Sequence, residues 1–340
     1  MAPVYIREQG AVVRRRGERL VVTRNKKQLL ELPLLHVDQL ILMGNVQLTS
    51  PAVAMLLQKE VDVVFLSSYG KFRGRLIHTG SKFARLRHAQ LQKMSDLKVS
   101  LSIAREVVSG KLHNQLFVLQ AQVKQGASPV VVQRSLSGIK RMLDQARRAK
   151  NVDSLRGYEG KAGADYWAAF QALLPDTFGF QGRKYYPPPD PVNALLSFGY
   201  SLLLKDVTAA VQVVGLDPYL GFFHTIDYGR PSLALDMMEE FRPIIVDLIV
   251  LDILQTGQMS TADFEHTRRP DQPVRLKARM MNLLIQRYEQ RCGDKAPHRD
   301  AGGRTSLRRV IELQVRRLAR LMLDQEQQYQ PFLMKNGALS

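Results

Sequence analysis

The chain is poor in cysteine and tryptophan. It contains one cysteine, Cys292, and one tryptophan among 340 residues, and aromatic residues make up 7%. A single cysteine excludes an intramolecular disulfide framework and a cysteine-based zinc cluster, so we expect a protein of the reducing cytoplasm. Long apolar runs are also missing, because the most apolar stretch, 244–254, is interrupted by Asp247 and Asp252 and is too short to cross a bilayer. We therefore expect no membrane role.

Acidic residues are outnumbered by basic ones. The chain has 49 Lys and Arg against 31 Asp and Glu, a net charge of +18. The excess lies in two segments: residues 1–85 contain 14 basic against 6 acidic residues, and residues 268–320 contain 15 against 5, whereas residues 86–267 contain 19 against 18. One basic run alone is usually a solvated surface, but two such segments favour a phosphate-rich partner, which we expect to be DNA.

Short runs with β-strand patterning dominate residues 1–85. Glycine and charged turns separate them, and one short helical pattern interrupts the series. The predicted strands are Val4–Arg7, Ala11–Arg15, Leu20–Thr23, Leu29–Leu32, Gln39–Leu42, Val61–Leu66 and Phe72–His78, with a helix over Pro51–Glu60. The pattern predicts a small β-rich domain and leaves open whether its strands form a split sheet or a barrel.

Amphipathic helical patterns fill the chain from about residue 82 onward, joined by Gly and Pro breaks. They cover Phe83–Ser95, Leu101–Val108, Leu112–Gln125, Val130–Lys150, Ser154–Leu174, Val192–Val214, Ser232–Leu254, Val274–Arg291 and Ser306–Gln328. The predicted fold class is therefore α+β: a small N-terminal β-rich domain, 1–85, followed by a larger all-helical catalytic domain, 86–340.

The segment 221–243, GFFHTIDYGRPSLALDMMEEFRP, places one histidine and four carboxylates close together in this basic chain. Pro231 suits the first turn of a helix, and Pro243 is expected to kink that helix or split it. At about 100° per residue, Asp236, Glu239 and Glu240 fall on one arc roughly 100° wide.

Carboxylates near a phosphate-binding surface repel their partner unless a divalent cation lies between them. The loop after His224 can fold this residue back over the first helical turns, which predicts a metal site there. A plainer interpretation stays open at this point. Acids in an early turn favour the helix dipole, and a histidine before a helix is often a hydrogen-bonded core residue.

A second motif, Leu155–Phe170 with the sequence LRGYEGKAGADYWAAF, carries a glycine-flanked glutamate, Glu159. Its small residues, such as Gly163, are expected to allow close backbone approach. Together with PVNALLSFGY at 191–200, GFFH at 221–224 and SLALDMMEEFRP at 232–243, it resembles the CRISPR-associated integrase family, Cas-one (Cas1). The resemblance covers nearly the whole chain.

The resemblance implies a divalent-metal site formed by Glu159, His224 and Glu239, with Asp236 as a further catalytic acid. Two carboxylates and an imidazole suit Mg²⁺ or Mn²⁺. The implied reaction is metal-dependent transesterification, in which a DNA 3′-hydroxyl attacks a phosphodiester and a short fragment is inserted into the CRISPR array as a new spacer. Endonuclease activity is expected at the same site. Glu240 is expected to be solvated or paired with Arg242.

The resemblance also implies partners: DNA as prespacer duplex and CRISPR repeat, a homodimer formed through the β-rich domain, and the small second adaptation protein, Cas-two (Cas2), which joins two dimers in a heterohexamer. Two alternatives remain open. One is a structure-selective, metal-dependent nuclease of DNA repair, and the other is a non-catalytic DNA-binding scaffold. Hydrolysis and strand transfer differ only in which hydroxyl is positioned, and the sequence does not separate them.

Three further segments carry expectations. The late arginines Arg308, Arg309, Arg316, Arg317 and Arg320 are expected to line a DNA-facing surface. The run 181–189, QGRKYYPPP, either touches phosphate or a base, or forms a rigid surface connection. The segment 325–340 is expected to be loosely ordered and available to a partner.

Overall fold

The computed structural model describes residues 3–37, 39–68, 72–76, 83–126, 129–184, 187–267 and 273–335, without the Phe72 side chain. The chain folds into two compact units, Met1–Lys82 and Phe83–Ser340. The sequence places this division after residue 85. His78 of the last expected strand, Tyr185 and Tyr186 of the 181–189 run, and residues 336–340 lie outside the described residues.

The first unit consists mainly of short strands. Its described elements are β1 Val4–Ile6, β2 Val12–Arg16, β3 Arg19–Arg24, β4 Lys27–Pro33, β5 Gln39–Met43, β6 Gln47–Leu48, α1 Ser50–Gln58, β7 Asp62–Leu66 and β8 Phe72–Leu76. All seven expected strands are present within a few residues of their expected ends. The additional strand β6 has two residues and is too short to give a periodic signal.

These strands form two four-stranded sheets rather than a closed barrel. One has the order β1-β5-β7-β8, in which β5 pairs in parallel with β1 and β7, and the other has the order β4-β3-β2-β6. Strand β5 is buried throughout, as expected for the centre of a parallel arrangement. Val13, Leu20, Leu42 and Leu56 belong to one apolar core, which makes this unit a packed domain of its own.

The second unit is mostly helical. Its described helices are α2 Ala84–Ser95, α3 Leu97–Lys124, α4 Val130–Ala146, α5 Val152–Ala172, α6 Pro191–Val214, α7 Ser232–Met238, α8 Leu248–Gln255, α9 Ala278–Gly293 and α10 Leu307–Met322. Two antiparallel hairpins join them: β9 Phe264–His266 with β10 Val274–Leu276, and β11 Lys295–His298 with β12 Gly303–Ser306. The α+β class is confirmed, but the helical part is not all-helical, because three- and four-residue strands escape a search for long periodic runs.

Helix α6 lies at the centre of this unit. Asp190 caps it by accepting a hydrogen bond from the Asn193 N–H, Pro191 occupies its first turn, and Gly215 ends it with φ of 100°. It is long and apolar enough to cross a membrane, with mean hydropathy 1.3 over 18 residues, but 78% of that window is buried within the protein. Such burial is typical of a core helix.

Proline and glycine shape the two helices that carry the site. The chain from Ser232 breaks as expected around Pro243, where α7 gives way to a π-helical stretch, Arg242–Asp247, before α8. Helix α3, by contrast, is one 28-residue helix where two were expected. The helix continues through Gly110, which does not act as a break. This position is glycine because a Cβ there would lie 2.6 Å from Pro331 Cβ, so the missing side chain makes room for the proline.

Pro331 belongs to a C-terminal segment, 325–335, that is packed against the helices. Tyr329 is 1% exposed, and Phe332 and Met334 are also buried. Asn114 of α3 donates to the Phe332 carbonyl and accepts from the Met334 N–H. The expectation of a loosely ordered segment is therefore wrong for residues 325–335, because its three large apolar side chains complete the core.

Candidate metal centre

Asp236 organises the loop that precedes α7. Its Oδ2 accepts hydrogen bonds from the backbone N–H groups of Phe222 and Phe223 at 2.6 and 3.0 Å, and its Oδ1 accepts from the His224 N–H at 2.9 Å. The loop comes this close because residue 221 is glycine. A Cβ there would lie 2.7 Å from Ser232 and 2.9 Å from Asp236 Oδ2.

The same carboxylate fixes the His224 ring. Nδ1 lies 2.6 Å from Asp236 Oδ1. An ionised carboxylate only accepts hydrogen bonds, so Nδ1 carries the proton and Nε2 keeps its lone pair. Nε2 points toward Glu239, with 3.8 Å between Nε2 and Oε1. A histidine held by a carboxylate in this way is the usual arrangement of a metal-ligating imidazole.

Glu239 is buried, with 3% of its surface exposed. Its Oε1 lies 3.2 Å from Arg242 Nε, and its Oε2 lies 2.7 Å from Lys111 Nζ. Burial by itself raises the pKa of this carboxyl, but Arg242 and Lys111 outweigh it and lower the pKa to about 2. Glu239 therefore remains an anion at any physiological pH.

Glu159 lies two turns into α5, a helix that Asn151 caps through the Ser154 N–H. Its Oε1 is 2.5 Å from Lys111 Nζ, so one ammonium connects it to Glu239. The structure thus brings together all four residues expected from the sequence: Glu159, His224 and Glu239 face a common point, and Asp236 stands behind the histidine. With all four of its contacts made to the loop and ring, Asp236 serves as a positioning residue in this geometry.

Lys111 is the residue that sequence reasoning missed. It projects from α3 between Glu159 and Glu239. Burial opposes its charge, but Glu239 and Glu159 outweigh that effect and raise the pKa of Lys111 above its ordinary value. A signal was available in the sequence, since Lys111 lies one turn after the apolar pair Val107 and Val108, and a lysine on a buried face needs an anionic partner.

Glu240 faces away from this point, and its surroundings differ from those expected. It is neither solvated nor paired with Arg242 but accepts hydrogen bonds from Tyr329 Oη at 2.6 Å and from Gln314 Nε2 at 3.2 Å, with a third from the Phe332 N–H. The helical arc placed Glu240 beside Glu239 because α7 was expected to continue as a regular helix. The break after Met238 turns it toward the C-terminal segment instead.

Two clefts of about 430 and 500 Å³ open onto the site. They share Lys111, Glu159, Arg183, Tyr200 and Arg242. The Tyr200 ring lies 5.4 Å from the Arg183 guanidinium carbon and 4.7 Å from that of Arg242. Arginine side chains that line a cleft next to two carboxylates suit a phosphodiester held beside a metal ion.

The glycines of α5 line the larger cleft. Gly160 and Gly163 would each accept a Cβ without meeting any atom within 4 Å. The expected close backbone approach at Gly163 is therefore not what the structure shows. Because these two residues have no side chain, the cleft stays open next to Glu159.

The residues present fit a divalent metal ion. No three His, Cys, Asp or Glu side chains of the described ranges already stand in ligand geometry, because the Lys111 ammonium separates the two glutamates. The donor types are nevertheless those of Mg²⁺ and Mn²⁺, and Glu239 Oε2 is buried without a hydrogen bond of regular geometry. Glu159, Glu239 and His224 Nε2 would hold the ion.

The arginines of α10 are all close to carboxylates, so the DNA-facing surface expected of them stays a prediction. Arg308 pairs with Asp206 and Glu289, and Arg317, which is 6% exposed, lies near Asp300. The remaining pairs are Arg309 and Arg316 with Glu312, and Arg320 with Asp300 and Glu326. Glu312 belongs to α10 itself, one turn from Arg309 and Arg316, whereas the other acidic partners come from segments outside this helix.

Comparison with known proteins agrees with this arrangement. The family model described as CRISPR associated protein Cas1 matches residues 4–290. The CRISPR-associated endonuclease Cas1 3 of Thermus thermophilus is 34% identical over 334 residues, which cover 98% of this chain and 97% of that protein.

Two solved structures are similar over the whole chain. One chain of a Cas6-RT-Cas1–Cas2 complex has a TM-score of 0.82 at 25% identity and covers 98% of this chain and 36% of its own. A casposase bound to its integration product has a TM-score of 0.84 at 24% identity, and the match covers 100% of this chain and 96% of the casposase chain. At this identity the similarity shows the fold alone. The chain therefore belongs to the Cas1 family of CRISPR-associated proteins.

Proposed function

We propose that this protein is a metal-dependent DNA integrase of CRISPR adaptation, which inserts short DNA fragments as new spacers into the CRISPR array and also cuts DNA as an endonuclease. One observation carries the proposal. The Lys111 ammonium lies between Glu159 and Glu239, and His224 Nε2 lies 3.8 Å from Glu239 Oε1. Arg183 and Arg242 line the two clefts beside these side chains. A phosphodiester strand fits such clefts. The two glutamates lie beside them, so a metal ion bound there would meet the reacting phosphate.

The comparisons support the same activity. The Thermus thermophilus relative carries the name endonuclease, one structural neighbour belongs to a Cas1–Cas2 complex, and another is bound to an integration product. Carried over to this chain, they favour DNA as substrate and Cas2 as partner. The homodimer through the N-terminal unit and the heterohexamer in which Cas2 joins two such dimers come from the resemblance to the family and are part of the proposal. The DNA substrate and the single cysteine favour a cytoplasmic location.

The reaction is a phosphodiester exchange. The 3′-hydroxyl of the incoming fragment loses its proton to solvent as its oxygen forms a bond to phosphorus in the repeat, the existing bond from that phosphorus to a 3′-oxygen breaks, and the released oxygen takes up a proton from solvent. Mg²⁺ or Mn²⁺ would polarise the phosphodiester and stabilise the charge of the transition state. Glu159, Glu239 and His224 would hold that ion, and Arg183 and Arg242, which line the clefts, would face the phosphate.

Asp236 acts through the histidine. It holds the Nδ1 proton in place, so that Nε2 remains a lone-pair donor, and it fixes the loop from Phe222 to His224. Neither a general acid nor a general base is required from His224, since an imidazole that binds metal has no free nitrogen for proton transfer.

A strand-transfer assay tests the proposal. The substrate is a supercoiled plasmid with a CRISPR repeat, combined with labelled duplex that has free 3′-hydroxyls, Mn²⁺ or Mg²⁺, and Cas2. We expect label to join the plasmid covalently, and we expect joining to be lost with EDTA and in Glu159→Gln, while the DNA affinity of Glu159→Gln measured without a divalent ion equals that of the wild type. Asp153→Asn, an exposed change on the first turn of the same helix, is the matched control.

The outcomes separate the remaining functions. Metal-dependent cutting without joining, in the presence of Cas2, would favour the repair nuclease, because water would then be the nucleophile at the same site. DNA binding without either reaction would favour the non-catalytic scaffold. Near-wild-type joining by Glu159→Gln would refute the assigned metal centre.

A further inference from the structure

The Lys111 ammonium stands at the point where the two glutamates converge. Nζ is 2.5 Å from Glu159 Oε1 and 2.7 Å from Glu239 Oε2. The side chains are largely enclosed, with 15% of Lys111 and 4% of Glu239 exposed. A divalent ion that binds one oxygen of each glutamate must occupy nearly the same place, since metal–oxygen distances in such sites are about 2.0–2.2 Å.

The arrangement has an electrostatic reason. Two carboxylates held side by side in a buried site repel each other unless a cation lies between them. Without a divalent ion, Lys111 supplies that charge and keeps the site assembled. With the ion bound between the glutamates, the ammonium and the ion would compete for the same oxygens and repel each other.

We infer that Lys111 is a resident competitor of the metal ion: it occupies the cation position between Glu159 and Glu239, weakens metal binding, and moves into the adjoining cleft when the ion enters. The inference rests on the proposed function, because it requires a divalent ion at this site. It assigns a role to a residue that touches both ligands but is no ligand itself.

When the metal ion replaces the Lys111 ammonium, the balance of charge around the site changes. Two glutamates and one divalent ion are neutral together, so the positive charges of Lys111 and Arg242 become available to a further anion. Both residues line both clefts. The displaced ammonium, on its flexible four-carbon chain, then contacts the DNA phosphate. Metal and DNA therefore strengthen each other's binding through Lys111, and this coupling is reciprocal.

Lys111→Met tests the competition directly, because methionine keeps the length of the side chain and removes its charge. We expect Mn²⁺ to bind this variant at least about tenfold more tightly than the wild type, measured by calorimetry without DNA. Lys161→Met is the matched control, since Lys161 is an exposed lysine of α5 paired with Asp165. Its Mn²⁺ affinity should equal that of the wild type.

Thermal unfolding gives a second measurement. Without a divalent ion, Lys111→Met should unfold at a lower temperature than the wild type, because its two carboxylates lack their partner. Saturating Mn²⁺ should raise its unfolding temperature by more than it raises that of the wild type. An unchanged or weaker Mn²⁺ affinity in Lys111→Met would overturn the inference.

Lys111→Arg covers the case in which the neutral variant does not fold. Arginine keeps the charge and binds carboxylates through a rigid fork, so it should compete more strongly and weaken Mn²⁺ binding about tenfold. Wild-type affinity in this variant would also count against the competition.

Binding of a short oligonucleotide measures the coupling. Mn²⁺ should raise the DNA affinity of the wild type and of Lys161→Met about tenfold, and that of Lys111→Met by clearly less. If the wild type binds Mn²⁺ through Glu159 but Lys111→Met binds it equally well, the inference fails and the integrase proposal stands. If the wild type binds no Mn²⁺, both fail.

Discussion

Asp236 Oδ1 lies 2.6 Å from His224 Nδ1, and the two oxygens of this carboxylate also receive the backbone N–H groups of residues 222–224. One side chain therefore sets both the position of the loop and the orientation of the imidazole. The other ring nitrogen, Nε2, can face Glu239 only while this contact is intact.

Replacing Asp236 by asparagine should lower metal affinity by roughly 10–100-fold, because an amide cannot accept from both the ring and the loop as the carboxylate does. Calorimetry with Mn²⁺ measures the effect. Asp227→Asn, at an exposed position of the same loop, should bind Mn²⁺ like the wild type. Wild-type affinity in Asp236→Asn would show that the imidazole does not depend on this contact.

Two helix glycines should respond to alanine with opposite signs. Gly110→Ala should lower the free energy of unfolding by about 1–3 kcal/mol, since its Cβ would lie 2.6 Å from Pro331 Cβ. Gly157→Ala should raise it by about 0.5–1 kcal/mol, since open space surrounds that position of α5. Urea unfolding of both variants measures the difference, and equal effects would contradict the packing described for Pro331.

The arginines of α10 should contribute little to DNA binding. Arg316 is held by Glu312, so Arg316→Ala should leave the salt dependence of DNA affinity unchanged. Lys184→Ala should reduce the slope of log K against log salt by about 1, because Lys184 is exposed and lines the larger cleft. Fluorescence anisotropy at several salt concentrations measures both. A reduced slope in Arg316→Ala would show that the ion pair opens for DNA.

Asp247 should make stability depend on pH. Burial raises the pKa of this carboxyl from 3.8 to about 6, although Tyr200 and Tyr166 donate hydrogen bonds to it. The folded pKa lies above the unfolded value, so between about pH 4 and pH 6 the folded state binds more protons. This contribution to stability is present in acid and is lost as the pH rises through that window, by about 3 kcal/mol in total.

Asp247→Asn removes that titration. The stability of the wild type, relative to this variant, should therefore fall between about pH 4 and pH 6 and stay constant above. Urea unfolding across this range measures the difference. Parallel pH profiles for the two proteins would show that Asp247 is not protonated in the folded state.

Local patterns predicted most of the elements. Alternating apolar residues predicted the strands of the first unit, and the Pro243 break followed from the missing N–H of proline. Glu159, His224 and Glu239 were singled out by the resemblance to the Cas1 motifs, and their role as metal ligands stays a prediction. Asp236 was also found, although its contacts give it a positioning role that spacing alone does not reveal.

Contacts between distant segments were missed. Lys111 and Glu159 are 48 positions apart, and Glu240 and Tyr329 are 89 apart. Helical periodicity describes one face of one element and contains no information on which element covers it. For the same reason the sequence did not show that Arg308 pairs with Asp206 and Glu289, or that Arg320 pairs with Asp300 and Glu326.

The packing of residues 329–334 has a consequence for synthesis of the protein. Tyr329 and Phe332 hold Glu240, the neighbour of Glu239, while Pro331 covers Gly110, the neighbour of Lys111. A nascent chain that has reached only residue 324 contains every expected ligand but lacks the segment that contacts Glu240 and Gly110. A chain released early at that point would keep the family's motifs and lose these contacts, so a ribosome must complete residues 329–334 before the site can reach its final geometry.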